Sequence, residues 1–102
     1  MTRVSFLYEN GAITRVRADG HSGYDDGNDI VCAAVSTLVQ TAYLALKDIG
    51  VKTEYIRDDG RFEFSIECSK DTRHDADVIL RAMTVGLRDL QSGYPQNIKL
   101  EV

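Results

Sequence analysis

The sequence predicts an α+β fold in which two amphipathic helices cover an antiparallel or mixed sheet, in the order ββαββαβ. Two pairs of runs with alternating apolar and polar residues are each joined by a glycine-containing turn. Each pair is followed by a long stretch with apolar residues at helical spacing, and the chain closes on a short alternating run. Such elements form a helix layer packed on one sheet. At 102 residues, we expect one domain, residues 1–102.

The first two strands are predicted at Arg3–Tyr8 and Ile13–Asp19, because apolar and polar side chains alternate in both runs. Asn10 and Gly11 lie between them. Both residue types tolerate positive backbone φ angles, which the tight two-residue hairpin turns require. The chain therefore starts with a β-hairpin.

The first helix is predicted at Ile30–Ile49, a stretch without glycine or proline. Asn28 or Asp29 can cap its start, and Gly50 can end it. The preceding segment, residues 20–29, contains three glycines and three aspartates and is predicted to be a mobile loop. The expected core stripe of the helix is Val31, Val35, Leu38, Ala42, Ala45 and Ile49.

A second hairpin is predicted from Val51–Arg57 and Arg61–Cys68. A second helix follows, with Asp71 or Thr72 as its cap and its end near Gly93. Alternation over residues 98–102 predicts a last strand. The expected stripe of the second helix is Ala76, Ile79, Met83, Leu87 and Leu90.

The composition narrows the function classes. A formal net charge of −4 argues against broad binding to a phosphate backbone, so nucleic acid is not an expected partner. The N-terminus lacks the apolar run of a signal peptide, and we expect no apolar stretch near the ~18 residues of a membrane span. Cys32 and Cys68 lie in unlike contexts, which disfavours a disulfide. These observations predict a cytoplasmic protein that does not bind membranes.

A histidine in the predicted loop and a cysteine in the first turn of the predicted helix could face one cleft. In the first turn of a helix, unpaired backbone N–H groups would favour the thiolate of Cys32 and could stabilise an oxyanion. His21 could exchange a proton with the sulfur. Together they would form a catalytic pair. Asp29 either orients His21 or caps the helix, and Ser36 lies one turn after Cys32 on the same face.

Each of these residues also has an ordinary structural reading. A cysteine in an apolar helix is more often an inert core residue, and a loop histidine usually has no special task. Tyr24 either closes over a substrate or packs on the domain. Cys68 continues the apolar face of its strand, which predicts burial. No zinc-ligand spacing is present, so no metal is expected.

The run from Gly20 to Ser36 resembles the ribosomal-processing cysteine proteases of bacteria, through Gly20-His21, a glycine-containing loop and Asp29-Ile30-Val31-Cys32-Ala33-Ala34-Val35-Ser36. The resemblance implies a thiol endopeptidase that removes the N-terminal extension of the twenty-seventh large-subunit ribosomal protein. It also implies a homodimer and no cofactor. It places catalysis on Cys32 and His21, support on Asp29 and Ser36, and a substrate loop at Gly20, Ser22, Gly23, Tyr24 and Gly27.

This sequence departs from many members at Ser22, where alanine is common, and in a loop one residue shorter. Two other functions stay open. One is a non-catalytic module that docks on a ribosomal protein or assembly intermediate through the same loop. The other is RNA binding, which the acidic balance and the lack of a basic-aromatic cluster disfavour.

Overall fold

The computed structural model describes the backbone of residues 1–20 and 26–101, and the side chains of residues 1–20 and 30–101. Five strands and two helices follow in the predicted ββαββαβ order, so the predicted fold class is confirmed. The elements are β1 (Thr2–Glu9), β2 (Ala12–Asp19), α1 (Asp26–Asp48), β3 (Lys52–Asp58), β4 (Arg61–Glu67), α2 (Arg73–Gly93) and β5 (Ile98–Glu101).

The strands form one mixed sheet in the order β3-β4-β2-β1-β5. The β1–β5 pair is parallel, and the other three pairs are antiparallel. The β2–β4 pair joins the two hairpins and sets Asp19 opposite Arg61. As a result, the end of β2 lies beside the β3–β4 turn, although the two segments are far apart in sequence.

The predicted first hairpin is confirmed. Asn10 and Gly11 have φ angles of 53° and 81°. Positive φ at both central residues is the geometry that matches the twist of the flanking strands.

The hydrophobic core lies between the sheet and the two helices. Val4, Val16 and Phe64 are at most 1% exposed on the sheet side. Val39 and Leu46 of α1 and Leu87 of α2 are fully buried opposite them. The opposite face of the sheet carries charged side chains, including the Arg3–Glu101 and Lys52–Glu67 ion pairs. The sheet therefore has one face on the core and one toward solvent.

The start of α1 differs from the prediction. The helix begins at Asp26, so residues 26–29 are helical rather than part of a loop, and Asn28 and Asp29 lie inside the first turn rather than at the cap.

The end of α1 is as predicted. Gly50 has a φ of 89°. Its N–H donates to the Lys47 carbonyl at 3.1 Å, and the Val51 N–H donates to the Leu46 carbonyl at 3.0 Å. This pair of bonds is a Schellman motif, which pairs the last carbonyls of the helix.

The predicted core stripe of α1 is only partly right. Val31, Val35 and Ala42 are buried, but Leu38 is half-buried and Ile49 is 36% exposed. The prediction drifted because α1 is apolar nearly all round, so helical spacing alone did not select the face toward the sheet. The buried residues of the helix are Val31, Val35, Val39, Ala42, Tyr43 and Leu46.

The expectation that no apolar stretch approaches the length of a membrane span is wrong, because one helical stretch is long and apolar enough by the test of length and composition. The stretch Ile30–Asp48 passes that test. In the fold it is the core helix of the domain, with one face on the sheet and a side against α2.

Helix α2 starts after Thr72, one of the two predicted caps, but the Thr72 side chain makes no capping hydrogen bond. Its hydroxyl instead accepts a bond from the Ser69 N–H at 3.1 Å. Of the predicted stripe, Ile79 and Leu90 are only partly buried. Its buried residues are Ala76, Leu80, Met83 and Leu87, so Leu80 is an addition to the prediction.

Candidate active site

Cys32 lines a cavity of about 170 Å³ at the end of the sheet where β2 finishes. Four parts of the chain meet there: the first residue of β1, the segment after β2, one side of α1 and the β3–β4 turn. The lining residues are Thr2, Ala18, Gly20, Cys32, Val35, Ser36, Val39, Gln40, Arg57, Asp58, Gly60, Arg61 and Phe62.

Cys32 lies deeper in its helix than predicted. It stands six positions after Asp26, the first residue of α1. Only the first four N–H groups of a helix lack partners, and the helix dipole acts within the first turn. The prediction that Cys32 lies in the first turn of its helix is therefore wrong. The side chain is half-buried and reaches the cavity.

Gly20 packs against the cysteine sulfur. A Cβ at position 20 would lie 2.7 Å from Cys32 Sγ and 3.5 Å from the Thr2 hydroxyl oxygen. Real Cβ atoms do not approach other atoms as closely as 2.7 Å. The absence of a side chain at position 20 is thus what lets the sulfur lie against the backbone that leads to His21.

The β3–β4 turn holds Gly20 in this position. The Gly20 N–H donates to the Gly60 carbonyl at 2.8 Å. Gly60 has a φ of 74°, and a Cβ there would lie 2.6 Å from the Gly20 carbonyl oxygen. The two glycines form a close backbone contact, which we call the Gly20–Gly60 contact.

The cavity extends along α1 from Cys32. Ser36 and Gln40 follow the cysteine at four-residue intervals, which places them on the same face of the helix. Buried Val39 and Phe62 give the cavity an apolar base. The structure thus brings Ser36, predicted as a supporting residue, into the cysteine cavity, with a half-buried side chain.

Arg57 connects β3 to α1 at the far end of the cavity. Its Nη2 donates to Gln40 Oε1 at 2.8 Å, and its guanidinium carbon lies 5.4 Å from the centre of the Phe62 ring. This distance is typical of a cation–π contact. The neighbouring Arg61 forms an ion pair with Asp58.

Several predicted site residues lie outside the described part of the chain. These are His21, Ser22, Gly23 and Tyr24, together with the side chain of Asp29. Gly27, predicted in the substrate loop, belongs to α1.

Cys68 and His74 lie outside the cavity. Cys68 is half-buried against the core, and both cysteines are free thiols. His74 lies at the start of α2. Within residues 1–20 and 30–101, no three histidine, cysteine or carboxylate side chains are grouped to hold a metal ion.

Sequence reasoning missed most of the cavity wall, notably Thr2, Arg57 and Gly60. The four-residue spacing from Cys32 through Ser36 could have indicated Gln40. Thr2 and Gly60 reach the site only because β1, β2 and β4 are neighbours in the sheet. Strand order is not encoded in local patterns, so no local signal could have found them.

Known proteins share this sequence pattern and fold. The family described as "Cysteine protease Prp" matches residues 1–99. The chain is therefore a cysteine protease, a hydrolase that uses a thiol. It belongs to the Prp family of cysteine proteases.

Its relatives include the ribosomal processing cysteine protease Prp of Staphylococcus aureus, from strains Mu50 and NCTC 8325. Both are 36% identical over 97 residues, which cover 90% of this chain and 89% of each relative.

Solved structures of similar proteins share the fold. S. aureus Prp in complex with a substrate peptide superposes with a TM-score of 0.83 and 28% identity, covering 99% of this chain and 98% of that one. The same protease with a covalently linked product peptide gives 0.82, with 28% identity and the same coverage. SMU.848 of Streptococcus mutans gives 0.80 at 25% identity, covering 99% of this chain and 92% of its own.

Proposed function

We propose that this protease removes the N-terminal extension of the twenty-seventh large-subunit ribosomal protein, with Cys32 as nucleophile and His21 as base. The observation that carries the proposal is the half-buried Cys32, which lines an open cavity with its sulfur packed against the backbone of Gly20. The S. aureus relatives are named for ribosomal processing. A ribosomal precursor is therefore the substrate that these relationships favour, and the cytoplasm is the compartment where it would meet the enzyme.

In the proposed reaction, His21 takes the proton from Cys32 Sγ, and the thiolate attacks the scissile carbonyl carbon. The C–N bond breaks, the leaving amine takes the proton from His21, and the extension stays bound to Cys32 as a thioester. Water, activated by His21, then hydrolyses the thioester and releases the extension as a carboxylic acid. The covalently linked product peptide on the S. aureus protease supports a covalent step of this kind.

We assign orienting roles to Asp29 and Ser36. Ser36 lines the cavity one helical turn from Cys32, where its hydroxyl can hydrogen-bond to the backbone of a bound substrate. Asp29 would orient the imidazole of His21. Gly20, Ser22, Gly23, Tyr24 and Gly27 would contact the bound peptide.

Strand β3 offers a place for an extended substrate. It is an edge strand, and Asp58 at its end lines the cysteine cavity. An extended peptide can add to such an edge through main-chain hydrogen bonds. Addition to β3 would lead the peptide toward Cys32.

We further propose a homodimer formed through the outer side of the helix layer. No charged residue occurs between Ile30 and Leu46, yet Leu44 is 60% exposed. Beside it, α1 and α2 form a nearly wholly apolar groove of about 310 Å³, with Leu38, Thr41 and Ala82 among its lining residues. Apolar faces of this kind mark protein contacts.

The dimer is tested by light scattering during size-exclusion chromatography. Thr41→Glu places a charge in the groove at an exposed position and should shift a wild-type dimer to monomer. Ile56→Glu, on the solvent face of the sheet, is the matched control and should leave the mass unchanged. A monomeric wild-type protein at tens of micromolar would contradict the proposed dimer.

The protease assignment is tested on the extended ribosomal protein from the same genome. Wild type, Cys32→Ala, His21→Ala and the control Cys68→Ala are incubated with it, and products are measured by intact mass. We expect one cut by wild type and Cys68→Ala only. An uncut precursor with wild type, despite binding, would instead favour a docking module, and normal cutting by Cys32→Ala would remove Cys32 as nucleophile.

A further inference from the structure

Thr2 places a hydroxyl at the edge of the core, in the wall of the cysteine cavity. It is the first residue of β1, where Thr2, Val4 and Phe6 alternate with more exposed residues and point to the helix side of the sheet. Among the described side chains, Thr2 is the only buried polar one, at 2% exposure. An apolar residue would continue the alternation, so the threonine adds a hydrogen-bonding group to an otherwise apolar series.

The Thr2 hydroxyl and the Cys32 sulfur lie around the same point beside Gly20. A Cβ on Gly20 would be 2.7 Å from Cys32 Sγ and 3.5 Å from Thr2 Oγ1. The next atom from that point is the Thr2 methyl carbon, at 3.7 Å. The oxygen and the sulfur are therefore neighbours across a position that carries no side chain.

The backbone of Thr2 is held by the strand next to it. Its N–H donates to the Asn97 carbonyl at 2.8 Å, and Thr2 pairs with Ile98 in the parallel β1–β5 ladder. Ile98 is 1% exposed. The Thr2 side chain is also restricted at χ1, because its Cβ carries two heavy atoms. The hydroxyl is thus presented from an anchored strand end.

The described charges of the cavity lie on its opposite side. They are Arg57, Asp58 and Arg61, at the end of β3 and the start of β4. Arg61 is paired with Asp58, and Arg57 donates to Gln40, two helical turns from Cys32. Helix α1 lines the cavity with neutral side chains. On the β1 side, the described polar group is the Thr2 hydroxyl.

We propose that Thr2 is a positioning residue: once Cys32 loses its proton, the Thr2 hydroxyl donates a hydrogen bond to the thiolate and holds it beside Gly20. This role rests on the proposed function, in which Cys32 is the nucleophile. A hydroxyl can rotate to aim its single donor, and a bond to the charged form of a group favours that form. Catalytic hydrogen bonds often tighten only when the reacting groups are engaged.

The test compares Thr2→Val with Thr2→Ser in a Cys68→Ala background, in which Cys32 is the sole thiol. Valine keeps the branched shape and removes the hydroxyl, whereas serine keeps the hydroxyl. Alkylation by iodoacetamide at neutral pH measures the reactivity of the sulfur without a substrate. We expect Thr2→Val to lower the alkylation rate constant about tenfold and Thr2→Ser to stay within about twofold of the parent.

Cleavage is measured on the same proteins with a fluorogenic peptide that spans the cut site found by intact mass. In Thr2→Val, kcat should fall by a similar factor while KM is unchanged. Thr53→Val is the matched control, since Thr53 is half-buried on β3 and does not line the cavity. It should match the parent in both assays. Each variant is measured at a temperature at which thermal unfolding shows it to be folded.

Parent-like alkylation in Thr2→Val would overturn the proposed hydrogen bond even if cleavage were slower, because the hydroxyl would then act on another group. An equal loss in Thr2→Ser would assign the effect to packing of the threonine methyl and would also overturn it. If Thr2→Val lowered alkylation and Thr2→Ser did not, but the wild-type protein left the ribosomal precursor uncut, the bond to Cys32 would stand and the proposed cleavage would be rejected.

Discussion

Both hairpin turns of this protein contain a glycine at positive φ, but the two glycines have different structural roles. Gly11 and Gly60 both have positive φ, at 81° and 74°. A Cβ on Gly11 would meet no atom within 4 Å, whereas a Cβ on Gly60 would lie 2.6 Å from the Gly20 carbonyl oxygen. The first turn only reverses the chain. The second also positions the segment that packs on Cys32.

This difference shows how an ordinary turn becomes part of an active site. Gly60 contacts Gly20, and Gly20 contacts the cysteine sulfur, so the position of the nucleophile depends on a turn in another hairpin. Substitutions along this series of contacts should affect activity in proportion to their closeness to the sulfur.

The largest effect is expected from Gly20→Ala. The new Cβ would lie 2.7 Å from Cys32 Sγ, so the sulfur or the backbone must move. A reacting group that is misplaced by about 1 Å can react about a hundredfold more slowly. We therefore expect kcat/KM on a fluorogenic substrate to fall about a hundredfold.

Gly93→Ala is the matched control for Gly20→Ala, because a Cβ at the end of α2 meets nothing within 4 Å. It should leave kcat/KM unchanged. Full activity in Gly20→Ala would show that the Gly20–Cys32 packing does not position the sulfur.

Gly60→Ala should have the second largest effect. A non-glycine residue at positive φ costs about 1–2 kcal/mol, and the contact with the Gly20 carbonyl adds to this cost. Because the Gly20–Gly60 contact must open, we expect kcat/KM to fall about tenfold. Thermal unfolding and peptide cleavage measured on the same preparation would separate the loss of stability from the loss of activity.

Gly11→Ala should have the smallest effect and isolates the cost of backbone strain. It carries a similar positive φ but no contact, so the free energy of unfolding should fall by about 1 kcal/mol while kcat/KM stays within twofold of wild type. If Gly11→Ala lowered activity as much as Gly60→Ala, general destabilisation would explain both variants, and the comparison would fail.

The sequence was sufficient to predict most of the fold because its signals are local. The Asn10-Gly11 turn has the predicted positive φ angles, and Gly50 ends α1 as predicted. The core face of α1 was predicted less well, because this helix carries apolar residues on nearly every face. Val39 and Leu46 are buried because they face the sheet, which helical spacing alone does not indicate.

The candidate site was less predictable than the fold. Cys32 and Ser36 share a helix face by spacing, and both line the cavity as this spacing implies. The start of α1 was misplaced, so Cys32 lies beyond the first helical turn in which it was predicted. Arg57 and Gly60 could not be assigned, because their closeness to Cys32 follows from the pairing of β2 with β4.

The most direct test of the account is to identify the atom that carries the acyl intermediate. Excess enzyme is mixed with the extended ribosomal protein, quenched in acid at short times, digested and analysed by mass spectrometry. We predict a thioester between the extension and Cys32 that appears with the mature ribosomal protein and then decays. Cleavage with no adduct on Cys32 at any time, together with undiminished cleavage by Cys32→Ala, would contradict the account.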